Sequence, residues 1–421
     1  MDLLIKAIKE DKKRQKKKII LNAALSECPK NVKKALSSNL NNIDAEGKVP
    51  LWLEKLNIDD YSYNQLQKMY NEKRDNRANK CCENFNIVEK IACEKLAEVF
   101  ENDLIRKDDI FVCVQPPTGA IANLISILAF CNFGDKIVSM QLSQGGHLSH
   151  GSPLHFVGDN FKVFHYGTDK NGNIDYKKIK DLLKNEKPKL FIAGASSYPK
   201  LIDWEKIRAL INEYSKETIF MADIAHTAGL VSAGVFPSPF GYADVVTMVG
   251  YKTFCGARSA AIFTFNEENN KKVYRKCFPY IMGSPIASLI GAMAVSAENA
   301  KKQKFKKIQE EIVRNAKIFE NELLANGFKT CFAGTENHIV LLDLKASKLN
   351  MSGEEAVNLL EDNNILANKN MLPGDEKNSE ATGVRFGFTW TAQKHYSEKD
   401  IKRLAQRIIC LLQSKRSKYV C

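Results

Sequence analysis

The chain has 421 residues, 44% of them hydrophobic and 26% charged, with 62 basic against 49 acidic side chains and a net charge of +13. That composition belongs to a globular protein with one large domain and a smaller one, and no apolar run reaches the roughly 18 residues that a membrane helix needs. The charge is mostly lysine spread along the chain, and its one dense run, KKRQKKK (12–18), has no interleaved aromatic residue for base stacking, so it reads as solvated surface and nucleic acid is not expected as a partner.

The opening MDLLIKAIKEDKKRQ is amphipathic, carries Asp2, Glu10 and Asp11 and lacks serine, which predicts a docking helix rather than a transit peptide. Residues 3–40 read as helices broken near Cys28 and Pro29, and 48–81 as a polar, helical or mobile insertion. Apolar residues at Ile87, Ile91, Leu96 and Val99 predict a helix up to Phe100. A strand IFVCVQ (110–115), a Thr-Gly turn and an apolar helix over 120–130 follow. Short apolar strands then alternate with helices: KIVSMQL (136–142), NFKVFHY (160–166), KPKLFIAG (187–194), TIFMAD (218–223), ADVVTMVG (243–250) and AAIFTF (260–265). The alternation predicts an α/β fold with a mainly parallel sheet buried on both faces. A long helical stretch from about Ser288 leads to HIVLLDL (338–344), GVRFGF (383–388) and a closing helix over 401–414, a smaller α+β domain. The expected division is a helical arm over 1–45, a large domain over 46–287 with the insertion 48–81, and a small C-terminal domain over 288–421.

The eleven cysteines, Cys421 included, form no C-x-x-C pair and are odd in number, which points to a reducing, intracellular setting without a zinc site. His147 and His150 are three apart but have no carboxylate or cysteine cluster with them, so no metal is expected.

In open α/β sheets function collects at the carboxyl ends of strands. Here those ends carry Thr118-Gly119, Ser196, Asp223 with His226, and Lys252. A lysine and an aspartate on neighbouring strand ends suit pyridoxal phosphate, which needs an amine for covalent attachment and a carboxylate to keep its ring nitrogen protonated. Thr118 and Gly119 open a helix whose free N–H groups and dipole favour a phosphate. His147, in GGHLSHG, is a flat partner for the ring. Each signal alone has an ordinary explanation, a helix cap, a turn or a solvated strand end; their order and positions together carry the inference.

The pieces SQGGHLSHGSP (143–153), MADIAHTAGLVSAGVFPSP (221–239), YKTFCGAR (251–258), ENHIVLLDL (336–344) and GVRFG (383–387) resemble the serine hydroxymethyltransferase family. The resemblance runs over about residues 3–413. It implies the aspartate-aminotransferase-like fold type I and transfer of serine's hydroxymethyl carbon to tetrahydrofolate. It further implies that Lys252 holds the cofactor, Asp223 pairs with the pyridine nitrogen, His147 stacks, and Ser196 and His226 face the ring hydroxyl. Thr118 and Gly119 would hold the phosphate, with Gly283 reaching in from a partner subunit. Arg385 would clamp the substrate carboxylate, Glu46 would handle protons at the serine hydroxymethyl group and folate, and Leu142, Gly146 and Leu148 would flank the pterin. A homodimer or higher homo-oligomer is implied, in the cytoplasm or mitochondrial matrix; the first residues match the family's N-terminal arm, so a longer presequence would lie outside this numbering.

The chain departs from the family pattern mainly on the substrate and folate side. Met248-Val249-Gly250-Tyr251 stands for a Thr-rich run and a His, with Val249 in place of a Thr hydroxyl. Ala24-Leu25-Ser26 replaces Ser-Glu-Asn, Asp44 a Tyr, Ala78-Asn79-Lys80-Cys81 a Tyr-Tyr-Gly-Gly, Ala120 a Ser, and Gly283-Ser284 a Gly-Gly. Besides a working enzyme, two alternatives stand at this point. One is a degenerate paralogue that binds pyridoxal phosphate and acts as a regulatory or scaffold partner, for instance of an active paralogue. The other is a folate-independent amino-acid aldolase.

Overall fold

A computed structural model of the chain describes residues 1–414. Cys421 and the end of the C-terminal domain expected from the sequence lie outside the described residues. The chain divides into two compact units, a large one made of Ser26–Ser196 and Leu201–Gln309, and a small one made of Met1–Leu25, Ser197–Lys200 and the chain from Glu310 on.

The large unit is built on seven strands in the order Phe111–Cys113, Ala260–Thr264, Val245–Val249, Ile219–Asp223, Leu190–Ala193, Lys136–Met140, Lys162–Tyr166. All neighbours are parallel except Ala260–Thr264, which runs antiparallel to both of its partners. Every residue of Val245–Val249, Leu190–Ala193 and Ala260–Thr264 is buried, as strands covered on both faces require. One covering layer is the apolar helix Gly119–Phe130, whose Ala122, Ile125, Ile127 and Leu128 join the core with Val245, Val249 and Ile262. Register places Asp223 opposite Thr247, so the carboxyl ends of these two strands open side by side.

The insertion is helical and packed. Leu51–Glu54, the short turn Ile58–Asp60 and Tyr63–Lys73 follow one another, the last opened by a Ser62/Gln65 capping box. Its composition is polar, but Val49, Leu53, Ile58 and Leu66 form a buried cluster against Ile87 and Ile91 of the helix Glu83–Phe100. Helix Ala287–Ala300, expected in the C-terminal domain, packs within the large unit on Glu83–Phe100 and Lys30–Leu36.

In the small unit an antiparallel sheet runs Asn368–Asn370, Gly383–Gly387, Ile339–Asp343, Lys329–Thr330. Helix Glu398–Ser414 buries Ile401, Leu404, Ile408 and Leu412, a clean helical stripe. The N-terminal helix Asp2–Lys17 buries no residue; after it Ile19–Ile20 pairs in parallel with Ile365–Leu366, where continued helix was expected. The second helix, Lys30–Leu36, begins just past Pro29, at the expected break. No helix among the described residues is long and apolar enough to cross a membrane.

Candidate active site

Lys252 follows a strand buried at every position, and the chain folds back immediately after it. The Gly250 N–H donates to Ser259 O at 2.9 Å and the Gly256 N–H to Gly250 O at 2.6 Å. A Cβ at Gly250 would stand 2.6 Å from Ala257 O, so the close return leaves no room for a side chain there. Lys252 is only 6% exposed. It lines a cavity of about 150 Å³ together with Thr118, Gly119, His147, Ser196, Asp223 and His226. Seven of the residues expected at a cofactor therefore meet around one space.

Asp223 is the electrostatic centre of this group. Its Oδ2 accepts from Asn123 Nδ2 at 2.8 Å and from His150 Nε2 at 2.8 Å, and its Oδ1 accepts from the Ala225 N–H at 2.8 Å. Burial alone would raise its pKa, but the hydrogen bond and charge of His150, then His147 and Asn123, outweigh it and hold the carboxyl well below the usual range. An ionised carboxylate offers about four acceptor positions. Among the described residues three are used, and because Asp223 lines the cavity the fourth is open to a donor there.

A hydrogen-bond chain sets the orientation of His147. Thr247 Oγ1 donates to Asn123 Oδ1 at 2.8 Å, and the Asn123 amide spends its two hydrogens on Asp223 and on Ser149 Oγ at 2.9 Å. The Ser149 N–H donates to His147 Nδ1 at 3.2 Å, which fixes that nitrogen as the acceptor, so the Ser149 hydroxyl, 2.8 Å away, donates to it as well. Burial first, and then the charge of His150, pull the His147 pKa down from 6.5 to about 4, so the ring is neutral near pH 7. Ser196 ties its loop to the same segment, its N–H to Gly145 O and its Oγ to Gly146 O, both at 2.8 Å. A Cβ on Gly146 would lie 2.2 Å from Met140 O, so this turn needs glycine.

At the other end of the cavity Thr118 caps the helix Gly119–Phe130, accepting from the Ile121 N–H at 3.4 Å. A Cβ on Gly119 would meet Val249 Cγ1 at 2.8 Å, so the helix N-terminus abuts the end of the strand that leads to Lys252. The donor set fits pyridoxal phosphate: a sheltered amine, an ionised carboxylate with one open acceptor position, a neutral imidazole and a helix N-terminus for the phosphate.

The other expected residues do not line this cavity. Glu46 and Gly283 are neighbours, a Cβ on Gly283 falling 3.6 Å from Glu46 Oε1, and neither lines the cavity. Leu142, Gly146 and Leu148 border His147 in sequence, with Leu148 46% exposed and Gly146 buried, but they too are outside the cavity wall. Arg385 sits buried in the small unit, its Nε donating to Asn368 Oδ1 at 3.1 Å, and burial lowers its pKa to about 10. Sequence reasoning missed Asn123, Ser149 and Thr247 and saw His150 only as an insufficient metal ligand. Asn123 did carry a signal, as a polar residue in the middle of an apolar helix. Among the described residues no cluster of His, Cys, Asp and Glu has a metal-holding form.

Fold and site together define the class, an enzyme of the aspartate-aminotransferase-like fold type I. The family model for serine hydroxymethyltransferase matches residues 61–408. A serine hydroxymethyltransferase of Mycoplasmopsis synoviae (strain 53) is 37% identical over 394 residues, 93% of this chain and 85% of the relative. One from Endomicrobium trichonymphae is 39% identical over 335 residues, 79% of this chain and 78% of the relative. One from Crocosphaera subtropica is 41% identical over 308 residues, 73% and 70%. The chain belongs to the serine hydroxymethyltransferase family.

Proposed function

We propose that the protein is a pyridoxal 5'-phosphate-dependent serine hydroxymethyltransferase, which interconverts serine plus tetrahydrofolate with glycine plus 5,10-methylenetetrahydrofolate. The observation that carries the cofactor assignment is Asp223, buried, ionised and left with one open acceptor position in the cavity that Lys252 lines. When bound, the cofactor supplies an electron sink for charge developing at the amino acid's α-carbon.

In this reading Lys252 holds the cofactor and Asp223 accepts from its ring N–H. His147, kept neutral and oriented through Ser149, would pack against the ring, and Ser196 and His226 would face its hydroxyl. Thr118 and the N-terminus of Gly119–Phe130 hold the phosphate. Arg385 takes the substrate carboxylate in a two-point grip that lysine could not reproduce. Glu46 holds and returns the proton of the serine hydroxymethyl group, and Leu142, Gly146 and Leu148 border the pterin. The protein acts as a homodimer or higher homo-oligomer in this reading; Glu46 and Gly283 are neighbours that do not line the Lys252 cavity of their own chain, which suits their supply by a second copy. The ten free cysteines among the described residues suit a reducing compartment, cytoplasm or mitochondrial matrix.

The test is serine cleavage by cofactor-loaded protein with and without tetrahydrofolate. Turnover that requires tetrahydrofolate is the expected result. Loaded protein that leaves serine untouched, or cleaves it equally well without folate, would remove the proposal.

A further inference from the structure

The insertion ends in a buried polar network. Tyr70, late in the helix Tyr63–Lys73, donates its hydroxyl to Asp75 Oδ2 at 2.5 Å. Asp75 also accepts from Asn86 Nδ2 at 2.9 Å and from the Arg77 N–H at 3.2 Å. Asn86 in turn takes Arg77 Nε at 2.7 Å, and Arg77 Nη2 pairs with Glu89, both side chains wholly buried. The remaining end of the guanidinium, Nη1, donates to Ala45 O at 2.6 Å. Gln115 Nε2 bridges Glu89 Oε1 and Gly47 O, each at 2.8 Å. On the far side the Ala45 N–H donates to Ser284 Oγ at 2.7 Å.

The network therefore grips the backbone on both sides of Glu46. A buried Arg–Glu pair recovers little of its desolvation cost, so stability alone is a weak reason for it. A guanidinium already held at Nε and Nη2 is a rigid fork, and its third nitrogen, Nη1, is thereby aimed at the carbonyl preceding Glu46. The insertion is itself anchored, by its apolar cluster and by Trp52 Nε1 donating to Arg74 O at 2.7 Å.

We infer that the insertion is a strap that positions Glu46: its packed helices hold Tyr70 and Asp75, these orient Arg77, and Arg77 with Gln115 fixes the segment 45–47 that aims the Glu46 carboxylate. The inference rests on the proposed role of Glu46 in proton handling. Tyr70 and Asp75 are positioning residues and act only through that segment.

The test uses the full chain loaded with pyridoxal phosphate, as Tyr70→Phe and as Asp75→Asn. Backbone hydrogen exchange over 43–49, which reports the Ala45 amide, speeds up about tenfold in both. The visible absorbance of the bound cofactor and the KM for serine are unchanged, while kcat with serine and tetrahydrofolate falls about tenfold, as expected for a displaced acid–base group. In a Glu46→Gln background the same substitutions change kcat by less than about twofold, because their effect passes through Glu46. Unchanged exchange in the folded variants, or a further full loss of kcat in the Glu46→Gln background, overturns the strap. Tyr70→Phe removes one hydroxyl only and carries the test if Asp75→Asn does not fold. Should the unmodified chain fail to turn over serine, the proposed function falls while exchange still decides the strap: acceleration upholds it and no change overturns it.

Discussion

Replacing Asp223 by asparagine tests the cofactor site most directly. The carboxylate receives three hydrogen bonds, two on Oδ2 and one on Oδ1. An asparagine can keep its oxygen toward Asn123 and His150, but its NH2 then faces the Ala225 N–H, donor against donor. That mismatch costs the cofactor-free protein about 1–3 kcal/mol. The acceptor position open to the cavity is lost as well, and with it a charge-assisted bond of about 1.5–3 kcal/mol, which is a loss of roughly 10- to 150-fold in affinity. Titration of cofactor-free protein with pyridoxal phosphate, followed by visible absorbance, measures that loss, with urea unfolding run alongside to separate it from stability. Affinity within about threefold of the original would refute the assignment of Asp223 to the ring nitrogen.

Lys252→Ala abolishes the absorbance of covalently held cofactor while leaving the thermal midpoint of cofactor-free protein nearly unchanged; retained absorbance would move the attachment elsewhere. His147 has a folded pKa of about 4 against an ordinary 6.5, so its contribution to stability is complete above 6.5 and is lost as pH falls from there toward 4. In urea unfolding of cofactor-free protein the stability difference between the original and His147→Phe therefore declines by up to about 1.4 kcal/mol per pH unit in that window, and a pH-independent difference contradicts the shift. Gly250→Thr, two residues before Lys252, forces a Cβ to 2.6 Å from Ala257 O and lowers stability by about 1–3 kcal/mol; an unchanged melting temperature would show that the return loop yields. Ser62→Ala removes the capping box of Tyr63–Lys73 and costs that helix about 1 kcal/mol, visible as faster exchange over 63–73.

Much of this was legible because sheet strands leave a periodic, apolar trace and end where glycine, threonine or a charge interrupts it. The ends at Thr118, Ser196, Asp223 and Lys252 converge in space because parallel strands share a direction. The network under Asp223 was illegible for a different reason. Asn123 and Thr247 are far apart in sequence and meet only through the packing of a helix on a strand, which no local pattern encodes. The insertion read as helical or mobile because its apolar residues are sparse; what settles it is the partner surface on Glu83–Phe100. The large compact unit runs past 287 to Gln309 because Ala287–Ala300 is apolar on faces that meet Lys30–Leu36 and Glu83–Phe100, a match visible only once all three are placed.

The single reversed strand of the large sheet has a consequence for how Lys252 is held. A parallel neighbour would need a crossover of a dozen or more residues after Val249. Because Ala260–Thr264 runs back beside Val245–Val249, the segment bearing Lys252 is the tip of a hairpin, closed by contacts between near neighbours in sequence. The amine of Lys252 is thus carried on a connection whose closing contacts span few residues, so the loop that holds it costs little entropy to close.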